Sequence, residues 1–402
     1  MFKQYFKFII RKLSRNRVYT VINIVGLSIA FSAAWLIYSH TSNEWNMDGY
    51  LKNSDNIYRV ITRYGDEDFW NCRTNTSFGP AAKRTFPEIV QVARYFQKDY
   101  RIKIKDGQDF TIEPKLAFVD PPFFDLFEIP VIQGKIDTTV FSWIVFTETS
   151  AKRYFNKENP IGKTVTIKDG INNRKKDIKC QVVAVIKDFP ANSTIQANII
   201  VDCRQGAPYF DKDRGNYSLY TYFHILPTAD LRAIEKKLPT IASNMPDDVN
   251  HYSHRLQPLK DIYFHSDHLR EDELLRGSQS LTYLLWSITI LILLLAAGNF
   301  LLIRIAQQDR DSSRFAIHKC YGASNKHLFY QLLGEIGLQT GGILLLSCIL
   351  TYGLHPYFIQ ILSPEHIYPF ELFNLSNFVF VGFICLIMGI ICSILYFHFK
   401  HH

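Results

Sequence analysis

The chain has 402 residues, of which 47% are hydrophobic and 20% charged, with a formal net charge of +8 and seven cysteines. The cysteines are irregularly spaced, which excludes a small disulfide-stapled scaffold. The apolar residues are gathered into four stretches without Lys, Arg, Asp or Glu, at 18–43, 277–303, 336–364 and 372–399. Each exceeds the ~20 residues that cross a bilayer core, so a wholly soluble protein is excluded as well.

Residues 1–17 carry Lys3, Lys7, Arg11, Lys12, Arg15 and Arg17 and no acid. Phe2, Phe6, Ile9 and Leu13 share one helical face and Lys3, Lys7 and Arg11 another. That pattern predicts a short amphipathic helix lying in the inner headgroup layer. The first span is expected at 18–43. Ser32-Ala33-Ala34 is weakly cleavage-like, but Trp35-Leu36-Ile37-Tyr38 continues the apolar run, so an uncleaved anchor is expected. Gly26, Ala30 and Ala34 recur every four residues and give this span a face of small side chains for close helix packing. Such a face suits either a second copy or a neighbouring helix of the same subunit.

Residues 44–276 read as a soluble α+β domain of nearly balanced charge. Strands are expected at 57–64, 89–96, 218–226 and about 252–260, with helices at 80–85 and 229–242. Two β-α-β units at opposite ends of the segment suggest a split subdomain closing on itself. Between them, at about 100–205, further strands at 101–105, 115–119, 144–147, 163–168 and 178–186 suggest an inserted strand-rich subdomain.

Three features of this domain invite a chemical reading. Ile161-Gly162-Lys163-Thr164 ends like a nucleotide-binding loop, but Lys157 stands where that motif needs a glycine. His251 with His254, and His265 with His268, have paired-ligand spacing without a cysteine partner, so no metal site is assigned. Asp120, Asp125 and Glu128 surround Pro121-Pro122 and three phenylalanines, which reads as a turn onto a core. No nucleophilic triad stands out, and no cofactor is implied. Of the cysteines in this domain, Cys72, Cys180 and Cys203 leave room for one disulfide.

Further spans are expected at 277–303, 328–354 and 377–399. The loop at 304–327 holds Arg304, Arg310, Arg314, Lys319 and Lys326 against Asp309 and Asp311, whereas the loop at 355–376 holds Glu365 and Glu371 and no base. Short basic loops stay in the cytoplasm. Both termini and the 304–327 loop are therefore expected inside, and residues 44–276 and 355–376 outside. The net positive charge is thus a topology and headgroup signal rather than a nucleic-acid footprint. Residues 304–319 contain no Gly or Pro and can extend the preceding helix. Gly322 then offers a C-cap and Ser324 a fresh N-cap, making a rigid helical hairpin. Asn299 is expected to bond across helices, and Glu335 to cap or pair near the inner interface.

Asn299-Phe300, Ala316-Ile317-His318-Lys319-Cys320-Tyr321-Gly322-Ala323-Ser324, Gln331 and Glu335 follow the order and spacing of the FtsX/MacB-type permeases of ABC transporters. Ile22-Asn23-Ile24-Val25-Gly26-Leu27, Phe123-Phe124-Asp125-Leu126-Phe127, Ser150-Ala151-Lys152, Asn159-Pro160-Ile161-Gly162-Lys163 and Val185-Ile186-Lys187-Asp188-Phe189-Pro190 resemble the same family over nearly the whole chain. The resemblance implies a non-enzymatic inner-membrane permease subunit with four spans in a one-plus-three arrangement. Its partners would be cytoplasmic ATPase subunits and a second permease subunit, identical or not, with room for a periplasmic or outer-membrane partner. Closure of the ATPases would be passed to the outer domain as mechanical motion, and a substrate need not cross through the spans. Arg314, Phe315, Ala316, Ile317, His318, Lys319, Cys320, Tyr321, Gly322, Ala323 and Ser324 would contact the ATPase. His318 and Ala316 depart from the family's usual Arg and Gly. The resemblance implies export or extraction of a substrate, with regulation of a cell-wall hydrolase or relay of a stress signal through the same machinery as the alternative.

Overall fold

The structure is a computed structural model that describes residues 17–65, 67–104, 109–137, 142–168, 177–204, 217–243, 252–270, 272–306, 325–362, 379 and 382–383. Its contacts divide the chain into two compact units. One is Asn46–Gly277, and the other combines Met1–Trp45 with Ser278–His402.

The first unit is mixed α/β and strand-rich. In chain order it contains β1 (Ile57–Tyr64), β2 (Trp70–Asn71), β3 (Thr74–Asn75), α2 (Phe78–Thr85), β4 (Ile89–Lys103), β5 (Thr111–Val119), α3 (Phe123–Leu126), β6 (Val131–Gly134), β7 (Trp143–Thr147) and α4 (Glu148–Phe155). It continues with β8 (Thr164–Lys168), β9 (Ile178–Ile186), β10 (Ile199–Asp202), β11 (Tyr217–Ile225), α5 (Leu231–Ser243), β12 (Tyr252–Pro258) and β13 (Leu269–Arg270). Among the described residues these strands form one sheet of order β13-β2-β1-β11-β4-β5-β10-β7-β9-β6. In addition, β12 pairs with β1, β3 with β11, and β8 with both β4 and β9. The strands expected at 89–96 and 101–105 are a single strand, β4, irregular between Lys98 and Tyr100. Its first half pairs with β11 and its second with β5 and β8, so one continuous strand serves both the flanking and the inserted parts of the sequence.

Alternation in the sequence sends residues to opposite faces of this sheet. On one face α2 and α5 pack Phe78, Ala82, Phe86, Ile234, Leu238 and Ile241 against Val60, Phe223 and Ile225. On the other face the short α3 inserts Phe123, Phe124 and Phe127 beside Tyr95, Trp143 and Tyr222, with ring centroids 4.7 to 6.0 Å apart. Each such ring stabilises the core by roughly 1.5–3 kcal/mol through burial. The prolines and phenylalanines near Asp120 thus form a turn onto a core. Asp120 itself binds Arg94 through both carboxylate oxygens, at 2.7 and 2.9 Å.

Local signals set the element ends. Thr147 caps α4 by accepting from Ser150 N, Glu148 occupies its first turn, and the helix stops at Asn156, whose φ of 54° is left-handed. Gly134 has φ +79°, and a Cβ there would lie 2.2 Å from Val183 O, so only glycine fits.

The second unit contains α1 (Arg17–Trp45), α6 (Gln279–Ala306) and α7 (Asn325–Leu362). Their apolar stretches 17–45, 279–303 and 337–362 are each long enough to cross a membrane. The expected fourth span at 377–399 falls almost entirely outside the described residues, as do the amphipathic segment at 1–17 and most of the loop at 304–327.

Candidate functional site at the two ends of the strand-rich unit

The strand-rich unit receives the chain at Asn46 and releases it at Gly277, and these two ends meet. Met47 packs with Tyr263 and Leu275 in one small buried cluster, and Lys260 Nζ lies 2.6 Å from Asp55 Oδ1. Each end is also fixed by a buried charged group, the incoming one to the loop between β9 and β10 and the outgoing one to β1, and charge inside a protein is retained only with good partners.

Asp48 fixes the incoming segment. It is 1% exposed, has φ 55°, and donates its N–H to Asn192 O at 2.7 Å. Thr194 donates its N–H to Oδ1 at 3.0 Å and its hydroxyl to Oδ2 at 2.6 Å. Asn192 Nδ2 donates to Asn46 O at 2.8 Å, and Tyr50 OH donates to Ser193 Oγ at 3.2 Å. Burial pushes the Asp48 carboxyl up to about 6, against the opposing pull of the Thr194 and Ser193 hydrogen bonds. The same burial, with Asp48 close by, raises the Tyr50 phenol above its ordinary value.

Arg59 fixes the outgoing segment. It sits in β1 with no exposed surface, and its Nη1 lies 2.9 Å from Asp272 Oδ2, a side chain equally inaccessible. Arg59 Nε and Nη2 donate to Gln257 Oε1 at 3.2 and 2.8 Å, and Nη2 donates to Ser266 Oγ at 2.9 Å. Glu273 N donates to Tyr220 OH at 2.8 Å, and Arg73 pairs with Glu273 at 3.0 Å. Burial opposes the Arg59 charge, but Asp272, Tyr222 and Cys72 outweigh it and hold the guanidinium above its ordinary pKa. Cys72 lies beside this cluster, donates to Arg270 O at 3.2 Å, and has its thiol pushed up to about 12 by burial and then by Asp272. One charged cluster thereby links β1, β12 and the last residues before α6.

Among the apolar helices, Ser28 Oγ donates to Ile343 O and Ser347 Oγ to Ser28 O, both at 3.2 Å, and Thr351 Oγ1 donates to Ser32 Oγ at 3.1 Å. These bonds stitch α1 to α7, and Thr282 Oγ1 donates to Glu44 Oε2 at 3.0 Å, joining α6 to α1. Of the small residues expected to share a packing face, Ala30 and Ala34 are buried within the chain. Gly26 and Asn299 are exposed, and a Cβ on Gly26 would meet Asn299 Nδ2 at 4.0 Å. Arg314, Phe315, Ala316, Ile317, His318, Lys319, Cys320, Tyr321, Gly322, Ala323 and Ser324 lie outside the described residues; α7 begins immediately after them, at Asn325.

The other sequence features fall where their chemistry is quiet. Gly162, with φ +85°, makes a turn into β8, whereas a phosphate loop would open a helix. His254 is buried against Phe78 at 4.3 Å, and burial pulls its pKa down to about 3. His265 and His268 are exposed, and His251 lies outside the described residues. The disulfide allowed by the cysteine count is not made: Cys72, Cys180 and Cys203 are each buried thiols outside any disulfide. Sequence reasoning missed Asp48, Arg59 and Asp272. The available signal was Arg59 set between Ile57 and Ile61 at alternate positions of β1, on a face whose next position is Arg63.

Two family models match the chain. A MacB-like periplasmic core domain matches residues 20–241, more than half of the chain, and an FtsX-like permease C-terminal region matches residues 286–400. The chain belongs to the FtsX/MacB-type ABC permease family. As a family member it is a membrane protein and a transporter permease subunit. No curated protein matches it. Solved structures similar to it include the following. One is a domain designated a permease protein from Porphyromonas gingivalis, with 17% identity, 55% of this chain and 95% of that chain covered, and a TM-score of 0.44. Another is the periplasmic region of MacB from Actinobacillus actinomycetemcomitans, with 16% identity, coverage of 52% and 91%, and a TM-score of 0.37. The extracellular domain of the ABC-type transporter YknZ from Gram-positive bacteria has 13% identity, coverage of 50% and 99%, and a TM-score of 0.36.

Proposed function

We propose that this permease works by mechanical transmission in the bacterial inner membrane. Separate cytoplasmic ATPase subunits close on ATP, the segment Arg314–Ser324 receives that motion, and the strand-rich unit, facing outward, does the work of exporting or extracting a substrate. The permease acts as a dimer, with both termini in the cytoplasm and a fourth span at 377–399. The carrying observation is that one chain holds both family domains, the core domain at 20–241 and the permease region at 286–400. The tied ends of the strand-rich unit support the mechanical part. Motion passes through a connector only if that connector is stiffer than the load; buried Asp48 ties the incoming segment to the loop between β9 and β10, and buried Arg59 of β1 ties the outgoing one to the sheet.

The test is purification of the full chain in mild detergent with its bound ATPase. Charged residues placed at Tyr321, Gly322 and Ala323 are expected to abolish co-purification. Gly322→Trp is expected to leave the permease in the membrane while removing its stimulation of ATP hydrolysis. Retained stimulation in Gly322→Trp would overturn the assignment of this segment as the ATPase contact.

A further inference from the structure

On the inserted part of the sheet, β4, β8 and β9 lie side by side with one face buried. Ile102, Val165, Ile167, Cys180 and Val182 point into the core, each 1% exposed or less. The opposite face carries Arg101, Lys103, Lys168 and Lys179. Arg101 stands directly across from Lys168, and Lys103 is in register with Thr166, which in turn faces Lys179. Like charges directly opposed across two strands oppose folding, so this arrangement carries a cost that packing within the sheet does not explain. Among the described residues no ion pair joins any of the four to an acid. Lys103 and Lys168 instead converge on one aromatic ring, their Nζ atoms 5.7 and 5.4 Å from the centre of Phe110. Asp99 and Asp177 lie at the rims of the face, and Asp99 is engaged by Lys115 N. Next to Arg101, in register, stands Ile112, 61% exposed.

We infer that this face docks an acidic segment of a protein partner in extended conformation. Neighbouring strands put cations ~4.8 Å apart across the sheet and ~6.7 Å apart along a strand. The second spacing equals that of carboxylates at alternate positions of an extended peptide. Ile112 and Phe110 supply apolar contacts among the charges, which suits a protein segment better than a headgroup layer. Binding would remove the like-charge repulsion between Arg101 and Lys168. The inference rests on reading the strand-rich unit as the part of the permease that engages a partner.

The test uses the full chain in neutral-lipid nanodiscs and a fluorescent peptide of alternating Glu and Thr, read by anisotropy. The double variant Arg101→Glu, Lys179→Glu is expected to weaken binding at least tenfold. The milder Lys103→Gln, Lys168→Gln variant is expected to weaken it measurably with the fold intact. The control Lys236→Glu, Lys237→Glu, on the exposed side of α5, changes net charge equally and is expected to leave binding unchanged. Equal loss in the control, or no binding by the unmodified chain, overturns the inference. Vesicles of phosphatidylglycerol that bind through the same four residues while the peptide does not would replace the protein partner with a lipid surface. ATPase co-purification with these variants reads the permease assignment separately, since the altered residues lie far in sequence from Arg314–Ser324.

Discussion

Replacing Asp272 with Asn removes the charge facing Arg59 and leaves the Gln257 and Ser266 hydrogen bonds in place. The guanidinium then remains buried without a counter-ion. Breaking one side of a buried pair costs about 3–5 kcal/mol. The retained amide oxygen of Asn puts this variant at the lower end, about 3 kcal/mol. Arg59→Met strands the Asp272 carboxylate instead and costs about as much or more. In the double variant neither charge is left, so its cost should fall short of the summed singles by roughly 2–3 kcal/mol. Hydrogen exchange of the amides in Ile57–Tyr64 and Tyr252–Pro258 reads these energies locally. A loss of about 3 kcal/mol appears as an approximately 100-fold faster exchange through opening. Additivity of the two substitutions within about 0.5 kcal/mol would refute the reasoning, because independent sites behave that way. So would an Asp272→Asn variant that exchanges like the original chain.

Asp48 gives a pH signature. Its carboxyl pKa is raised from 3.8 to about 6 in the folded chain, so the folded state holds the proton more tightly than the unfolded state. The resulting stabilisation is complete below about pH 4 and is lost as pH rises through 6, a difference of about 3 kcal/mol. Asp48→Asn should remove that slope, which melting curves of the two proteins between pH 4 and 7 will resolve; parallel curves would exclude it. Gly134→Ala forces a Cβ to within 2.2 Å of Val183 O at a left-handed φ. It should destabilise by at least ~2 kcal/mol, or roughly 4–8 °C in melting temperature. For topology, a membrane-impermeant thiol reagent should leave Cys320 unlabelled in intact cells and label it after permeabilisation. Labelling of intact cells would invert the orientation.

Much of the fold is legible in local pattern because period and propensity are local properties. β1 and β9 fall at their expected bounds, and α2, α5 and β11 within two residues of theirs, since alternation, caps and turns need no distant partner. The expected break inside β4 is absent, because the polar run Gln97–Asp99 looks like a loop until pairing with β5 on both sides of it, with a shift of register between Lys98 and Tyr100, carries the strand across. What the sequence by itself determined is the membrane-spanning character, the strand-rich insertion and the family. Runs without charge and the order of short motifs are complete within the chain. Only the tertiary structure decided that Arg59 meets Asp272 across more than two hundred positions of sequence, and Asp48 meets Thr194. It alone placed Arg101 opposite Lys168 on one exposed face. A charge carries no sequence mark of its partner, and burial is a property of the assembled sheet. Whether a charged side chain serves as anchor, docking point or plain solvated residue is therefore fixed only when the strands are in register.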